Sequence, residues 1–121
     1  MKKILLFEVV PEMRTAISVK IWSFMGIEII CAKDKRETSE LFLLHKDTLD
    51  LVCLDGSAER RTEFDTEDLV RLFLKHGFAD RILGMSSIQG VRDKLILCGG
   101  VRTCTKTEAP EQVREMLLAQ N

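Results

Sequence analysis

One short stretch of the chain constrains the fold more than any other. Residues 51–54 are Leu-Val-Cys-Leu, a continuous apolar run that ends at Asp55 and Gly56. An apolar run of this length without alternation is typical of a strand buried on both faces of a parallel sheet. In open α/β sheets, ligands bind at the carboxyl ends of such strands, which makes Asp55 a candidate site residue. The alternative is that Asp55 only shapes the turn before Gly56, as aspartate often does.

The rest of the chain alternates between strand and helix patterns. Apolar runs predict five strands, at residues 3–7, 27–32, 51–54, 82–85 and 101–105. Apolar residues at helical spacing predict five helices, at residues 11–25, 37–46, 65–76, 88–98 and from 109 onward. Asp65 and Asp68 have the pattern of an acidic start to the third helix. Repeated alternation of this kind predicts a parallel sheet covered by helices on both faces, in one domain that spans residues 1–121.

Composition excludes several classes of function. The formal net charge is −1 over 121 residues, which gives no electrostatic case for binding nucleic acid or an anionic membrane. No apolar run approaches the roughly 18 residues that a membrane-spanning helix needs. The four cysteines, at positions 31, 53, 98 and 104, form no Cys-x-x-Cys pair, so a zinc or redox site is poorly supported. Free, structural cysteines fit a reducing cytoplasm, which is the expected location.

Polar side chains follow four of the predicted strands. Glu8 follows the first strand, Asp55 the third, Ser86 the fourth and Lys106 the fifth. Because parallel strands all end at one edge of a sheet, we expect these side chains to lie together. The set suits phosphoryl transfer onto a carboxylate: Asp55 is the nucleophile, Ser86 bonds a phosphoryl oxygen and Lys106 neutralises charge. An acid such as Glu8 would help to hold Mg²⁺, which prefers carboxylate and water oxygens.

At these residues the chain resembles the response-regulator receiver family, which has a flavodoxin-like, doubly wound fold of five parallel strands and five helices. The resemblance covers essentially the whole chain and rests on residues 3–8, 50–55, 82–87 and 105–106. It implies a non-enzymatic signalling domain of a cytoplasmic two-component phosphorelay. Asp55 would accept a phosphoryl group from a histidine kinase or phosphotransfer protein, and Ser86 and Lys106 would sense it. The surface of the fourth helix, fifth strand and fifth helix would then change its contacts with a downstream protein or a second copy of the chain.

The sequence departs from the family pattern near the expected site. Val9 stands where the second of two adjacent acids is usual, so Mg²⁺ would be held by Glu8 and Asp55 alone. Thr107 replaces the proline that follows the lysine, and Thr103 replaces the aromatic switch residue of the fifth strand. These departures keep open a second hypothesis, a pseudo-receiver that retains the fold as an interaction module and is not phosphorylated.

Three other features leave alternatives open. A small enzyme or nucleotide binder on the same fold is a third hypothesis, but no glycine-rich phosphate loop follows the first strand. Trp22 is interpreted as a partly buried residue at the flank of the first helix, and a partner contact is the alternative. Arg60 and Arg61, in the polar segment after Asp55, are interpreted as solvated residues, and positive charge at the site is the alternative.

Overall fold

The computed structural model of the protein describes residues 1–120, except for the side chain of Met25. Five parallel strands form one sheet: β1 (Lys3–Phe7), β2 (Glu28–Ala32), β3 (Leu51–Asp55), β4 (Ile82–Met85) and β5 (Val101–Cys104). The order across the sheet is β2-β1-β3-β4-β5, so β3 lies at the centre and β2 and β5 form the edges. This is the flavodoxin-like strand order, and the predicted fold class is confirmed.

Five helices cover the two faces of the sheet: α1 (Pro11–Met25), α2 (Lys35–His45), α3 (Glu67–Lys75), α4 (Gln89–Leu97) and α5 (Ala109–Ala119). Residues of α1 and α5 form one core cluster with the strands, and residues of α2, α3 and α4 form the other. Helix α2 begins before the predicted residue 37, because the side chain of Asp34 caps it by accepting a hydrogen bond from the backbone N–H of Glu37. Within residues 1–120, none of the helices is long and apolar enough to cross a membrane.

Strand β3 is the central buried strand that its apolar run predicted. Residues 51–54 have no solvent exposure, and Asp55 retains only 1%. Gly56 is required for a reason that the sequence did not reveal. A Cβ atom at Gly56 would lie 2.6 Å from Cγ1 of Val91, so glycine is what allows α4 to pack closely against the end of β3. This packing fixes the position of α4 beside the acid.

Asp65 has a different role from the one that its position before α3 predicted. Helix α3 begins after Thr66, whose side chain makes no capping hydrogen bond. Asp65 accepts hydrogen bonds from three backbone N–H groups of the preceding loop, those of Ala58 (2.6 Å), Glu59 (2.8 Å) and Arg60 (2.8 Å). The carboxylate therefore organises the segment between β3 and α3 into a compact loop, because it supplies acceptors that a short irregular segment lacks.

The outer face of α1 carries two large apolar side chains that are open to solvent. Trp22 is 65% exposed and Val19 is 60% exposed, so Trp22 is not the partly buried flank residue that the sequence suggested. Both residues line a shallow groove with Ile29 and Cys31 of the edge strand β2. The groove lies at the β2 edge of the sheet, and β5 forms the other edge.

Candidate functional site

The carboxyl edge of the sheet carries a cavity of about 560 Å³. Its walls include residues from the loops after four strands: Val9, Asp55, Arg61, Ser86, Ser87 and Lys106. It adjoins the point where the connections change direction, since β1 is flanked by β2 on one side and by β3 on the other. Ligands of open α/β sheets usually bind at this switch point. Three of the four site residues predicted from the sequence therefore line one cavity.

Asp55 is held rigidly at the end of β3. Its Oδ1 atom accepts a hydrogen bond from the backbone N–H of Ser57 at 3.1 Å. Its Oδ2 atom accepts one from the backbone N–H of Val9 at 3.3 Å and one from Nζ of Lys106 at 3.2 Å. The hydroxyl of Thr66 also donates to the backbone carbonyl of Asp55 at 3.0 Å. The carboxylate is thus oriented by donors from three different loops, which fixes the direction in which it meets the cavity.

Lys106 contacts two carboxylates at once. Its Nζ atom lies 2.9 Å from Oε1 and 3.0 Å from Oε2 of Glu8, in addition to its bond to Asp55. Its side chain is only 18% exposed. Burial alone would lower the pKa of Lys106, but the contacts with Glu8 and Asp55 outweigh it and raise the pKa above its usual value. The ammonium group is therefore charged at neutral pH and lies between the two acids.

Glu8 is the innermost member of the cluster. It has no solvent exposure, and its Oε2 atom accepts a hydrogen bond from the backbone N–H of Val10 at 3.0 Å. Its Oε1 atom is close to Lys106 but accepts no hydrogen bond of good geometry. Burial, and next the negative charge of Asp55, raise the pKa of Glu8 to about 7. Glu8 therefore supports Lys106 from behind and does not itself line the cavity.

Ser86 provides a hydroxyl at the wall of the cavity. It follows β4 and is 4% exposed, and its Oγ atom accepts a hydrogen bond from the backbone N–H of Ile88 at 3.0 Å. The backbone N–H of Ser86 donates to the carbonyl of Cys104 at 3.1 Å, which ties the residue to β5. These bonds leave the O–H of Ser86 as a donor for an oxygen of a ligand.

Two arginines that the sequence analysis did not single out hold the loops of the site. Nη1 of Arg14 on α1 donates to the carbonyl oxygen of Glu8 at 2.8 Å. Nη1 of Arg92 on α4 donates to the carbonyl oxygen of Ser86 at 2.8 Å. Each arginine lies six residues after its partner, in the helix that follows the strand. This repeated spacing was the only signal in the sequence that could have pointed to them.

The two arginines of the loop after β3 have different surroundings. Arg61 lines the cavity, whereas Arg60 forms an ion pair with Glu63 at 3.2 Å on the surface. Both are exposed, so each contributes a screened charge rather than a fixed contact. Of the two, Arg61 can add positive charge at the mouth of the cavity.

The residues of the site do not fit a resident magnesium ion. Mg²⁺ requires octahedral oxygen coordination and is usually held by one or two carboxylates together with water. The Oε2 atom of Glu8 accepts bonds from Val10 and Lys106, and its Oε1 atom is buried beside Lys106 at 2.9 Å, where a hydrated ion has no access. Val9 offers only hydrocarbon where a second acid is usual. Among the side chains of the described part of the chain, no group of three or more His, Cys, Asp or Glu residues could hold a metal ion. Of the two predicted metal ligands, Glu8 and Asp55, only Asp55 lines the cavity.

Known structures share the architecture, whereas no protein-family model and no curated protein matches the sequence. A response-regulator receiver domain protein from Clostridium thermocellum matches with a TM-score of 0.77 and 16% identity, over 99% of this chain and 97% of that chain. The response regulator TrrA from Thermotoga maritima, in complex with Mg²⁺-BeF, matches with a TM-score of 0.75 and 21% identity, over 96% of this chain and 99% of that chain. The N-terminal domain of an uncharacterized Wolinella succinogenes protein matches with a TM-score of 0.71 and 27% identity, over 98% of this chain and 91% of that chain.

The chain therefore has the fold of response-regulator receiver domains, and the resemblance drawn from its strand ends is confirmed for the architecture. At such low identities the likeness describes the fold, so the role of each site residue rests on the contacts of this chain.

Proposed function

We propose that the chain is a receiver that accepts a phosphoryl group on Asp55 and signals through changed contacts with other proteins. The observation that supports this most strongly is the contact of 3.2 Å between Nζ of Lys106 and Oδ2 of Asp55, at a cavity that Ser86 also lines. A carboxylate, an ammonium group and a hydroxyl converge there from three strand ends. Together they can bind and receive a tetrahedral oxyanion.

The chemistry is a displacement at phosphorus. An oxygen of Asp55 attacks the phosphorus atom, an O–P bond forms, and the bond between phosphorus and the donor's leaving group breaks, with its electron pair going to the leaving group. An ionised carboxylate needs no base for this attack. The charge of Lys106 and the hydroxyl of Ser86 stabilise the equatorial oxygens of the transferring group. The natural donor would be a phosphohistidine on a histidine kinase or phosphotransfer protein.

The output would depend on the surface built by α4, β5 and α5. Lys106 lies in the loop between β5 and α5, and Arg92 connects α4 to Ser86, so both sensing residues are linked to that surface. Helix α4 carries exposed Ile96 (53%) and Leu97 (84%), which a downstream protein or a second copy of the chain can cover. Phosphorylation would draw Lys106 toward the new oxygens and alter this surface.

Intact-mass measurement with a small acyl phosphate tests the proposal. We expect the wild-type chain to gain the mass of one phosphoryl group and Asp55→Asn to gain none, because the amide keeps the shape but is not a nucleophile. Asp47→Asn, at an acid whose side chain is 90% exposed, is the matched control and should be labelled like the wild type. Equal labelling of the wild type and Asp55→Asn would contradict the assignment of Asp55.

A second candidate function is that of an interaction module that is not phosphorylated. It is favoured by the contact of Lys106 with Glu8 and by the hydrocarbon side chain of Val9. Under this candidate the wild type shows no change of mass with any phosphodonor. Binding to a protein partner would then be the same for the wild type and Asp55→Asn.

A further inference from the structure

We propose that the ammonium group of Lys106, held in place by Glu8, substitutes for a divalent cation at this site, so that the site works without metal. The geometry assigns Lys106 a bridging position: Nζ lies within 3.2 Å of oxygens of both Glu8 and Asp55. A cation between two carboxylates at such distances makes charge-assisted hydrogen bonds and neutralises one of their two negative charges, which is part of what a bound metal ion would do. The part of the proposal that concerns phosphoryl transfer rests on the proposed function, whereas the part that concerns metal binding does not.

The charge of the cluster gives the first argument. The cluster is no more negative than −1 when both acids are ionised, because it consists of Glu8, Asp55 and the positively charged Lys106. An acid at position 9 would make the cluster more negative by one charge and would add a ligand. Val9 removes both contributions. Glu12 and Glu59 also line the cavity, but both side chains are exposed and their charges are screened by solvent, so the attraction for a second cation is weak.

The hydrogen bonds of the carboxylates give the second argument. Each oxygen of Asp55 already accepts a backbone N–H, from Ser57 and from Val9. The Oε2 atom of Glu8 accepts a backbone N–H and a bond from Lys106, and Glu8 has no exposure through which a hydrated ion could reach it. A magnesium ion at Glu8 would have to displace Lys106 and leave the ammonium group buried without its partners, which is unfavourable.

The packing of Val9 gives the third argument. Its side chain lies at the cavity wall and packs against the core cluster that includes Phe7 and Leu54. This hydrocarbon surface excludes water from one side of the Asp55–Lys106 pair. Less water strengthens the field that Lys106 exerts on an incoming oxyanion. The attack of Asp55 on phosphorus, with departure of the leaving group, thus has its charge neutralised by Lys106.

Two measurements test the inference. Calorimetric titration with Mg²⁺ alone should give no binding to the wild type at millimolar concentrations, whereas Val9→Asp should bind with a Kd of about 1 mM or lower, because it adds a carboxylate. Val19→Asp adds the same charge on the exposed face of α1 and is the matched control, which should behave like the wild type. Labelling of the wild type by a small acyl phosphate should proceed at rates that agree within about twofold between Mg²⁺ and a chelator.

The outcomes separate the two proposals. Tight binding of Mg²⁺ to the wild type, or labelling of Asp55 that a chelator abolishes, would overturn the inference. Labelling in neither condition contradicts the proposed function, and the titration of the wild type still decides whether the site takes a metal ion. If Val9→Asp fails to fold, as circular dichroism would reveal, the wild-type titration and the chelator comparison decide the question without it.

Discussion

Glu8 and Asp65 lie in the loops after β1 and β3, and their carboxylates have different kinds of partner. Glu8 is fully buried and contacts one ammonium group and one backbone N–H. Asp65 is partly exposed and accepts three backbone N–H groups in a single loop. The pKa of Glu8 is raised to about 7, by burial first and then by Asp55. Burial works against ionisation of Asp65 as well, but its three backbone hydrogen bonds, with a smaller contribution from the charge of Lys35, outweigh burial and lower the pKa.

The comparison shows that a neighbouring cation does not by itself keep an acid charged. Lys106 lies 2.9 Å from Glu8, yet the loss of water and the like charge of Asp55 outweigh it. Three oriented N–H dipoles beside solvent favour ionisation of Asp65 more effectively. The ionised loop acid keeps the segment that carries Arg61 compact, and the inner acid, which is only partly ionised at neutral pH, holds Lys106.

Removal of Lys106 should have the largest effect on stability. Lys106→Met keeps the length of the side chain but leaves Glu8 and Asp55 as two adjacent buried acids, and we expect a loss on the order of 3–5 kcal/mol in the free energy of unfolding at neutral pH. Urea denaturation measures it. The double variant Lys106→Met with Glu8→Gln should recover part of that loss, because only one acid then remains. A loss below about 1 kcal/mol for the single variant would mean that the ammonium group does not hold the cluster together.

The pH dependence of stability should sharpen the contrast between the two acids. Because the pKa of Glu8 is raised in the folded protein, its stabilising contribution is present below the unfolded pKa of 4.5 and is lost as the pH rises through about 7. Between about pH 5 and pH 7.5, the wild type should lose roughly 2 kcal/mol relative to Glu8→Gln, which cannot ionise. The difference between the two urea midpoints across this range measures the effect. A constant difference would mean that Glu8 does not titrate there.

The convergence of Glu8, Asp55 and Lys106 could be predicted because it follows from topology. Parallel strands end at one edge, so a polar residue after each strand arrives there whatever its side chain does. The partners of each residue could not be predicted in the same way. The sequence placed Lys106 at the same edge as Glu8 and Asp55, whereas the contact of its ammonium group with both carboxylates depends on side-chain directions that have no local pattern.

The role of Asp65 was missed for a different reason. An acid before a helix, with another acid three residues later, is the ordinary pattern of a capped helix start. The three N–H groups that bind Asp65 come from residues 58–60, and only the conformation of the loop brings them to the carboxylate. The close packing of Gly56 against Val91 was hidden in the same way, since a glycine after a strand first suggests a turn.

Neutralisation of Asp65 should give the smallest of these effects and should act in the opposite pH range. Asp65→Asn keeps one oxygen acceptor but loses the charge, and we expect a loss of about 1 kcal/mol near neutral pH, because the loop N–H groups are close to water. Since the pKa of Asp65 is lowered in the folded protein, its contribution is present above the unfolded pKa of 3.8 and is lost as the pH falls through the folded value. Urea denaturation measures the loss of stability at neutral pH and its disappearance at acidic pH.

Asp68→Asn is the matched control for this last effect, because Asp68 is an exposed acid three residues further on that pairs only with Lys35 at 2.9 Å. It should cost no more than about 0.5 kcal/mol. The loop also carries Arg61, so Asp65→Asn should slow labelling of Asp55 by a small acyl phosphate, and Asp68→Asn should not. If both variants lose the same stability at neutral pH, the three backbone hydrogen bonds of Asp65 contribute no more than a surface ion pair. The contrast between Asp65, which is bound by backbone N–H groups, and Glu8, which is bound by an ammonium group, would then be wrong.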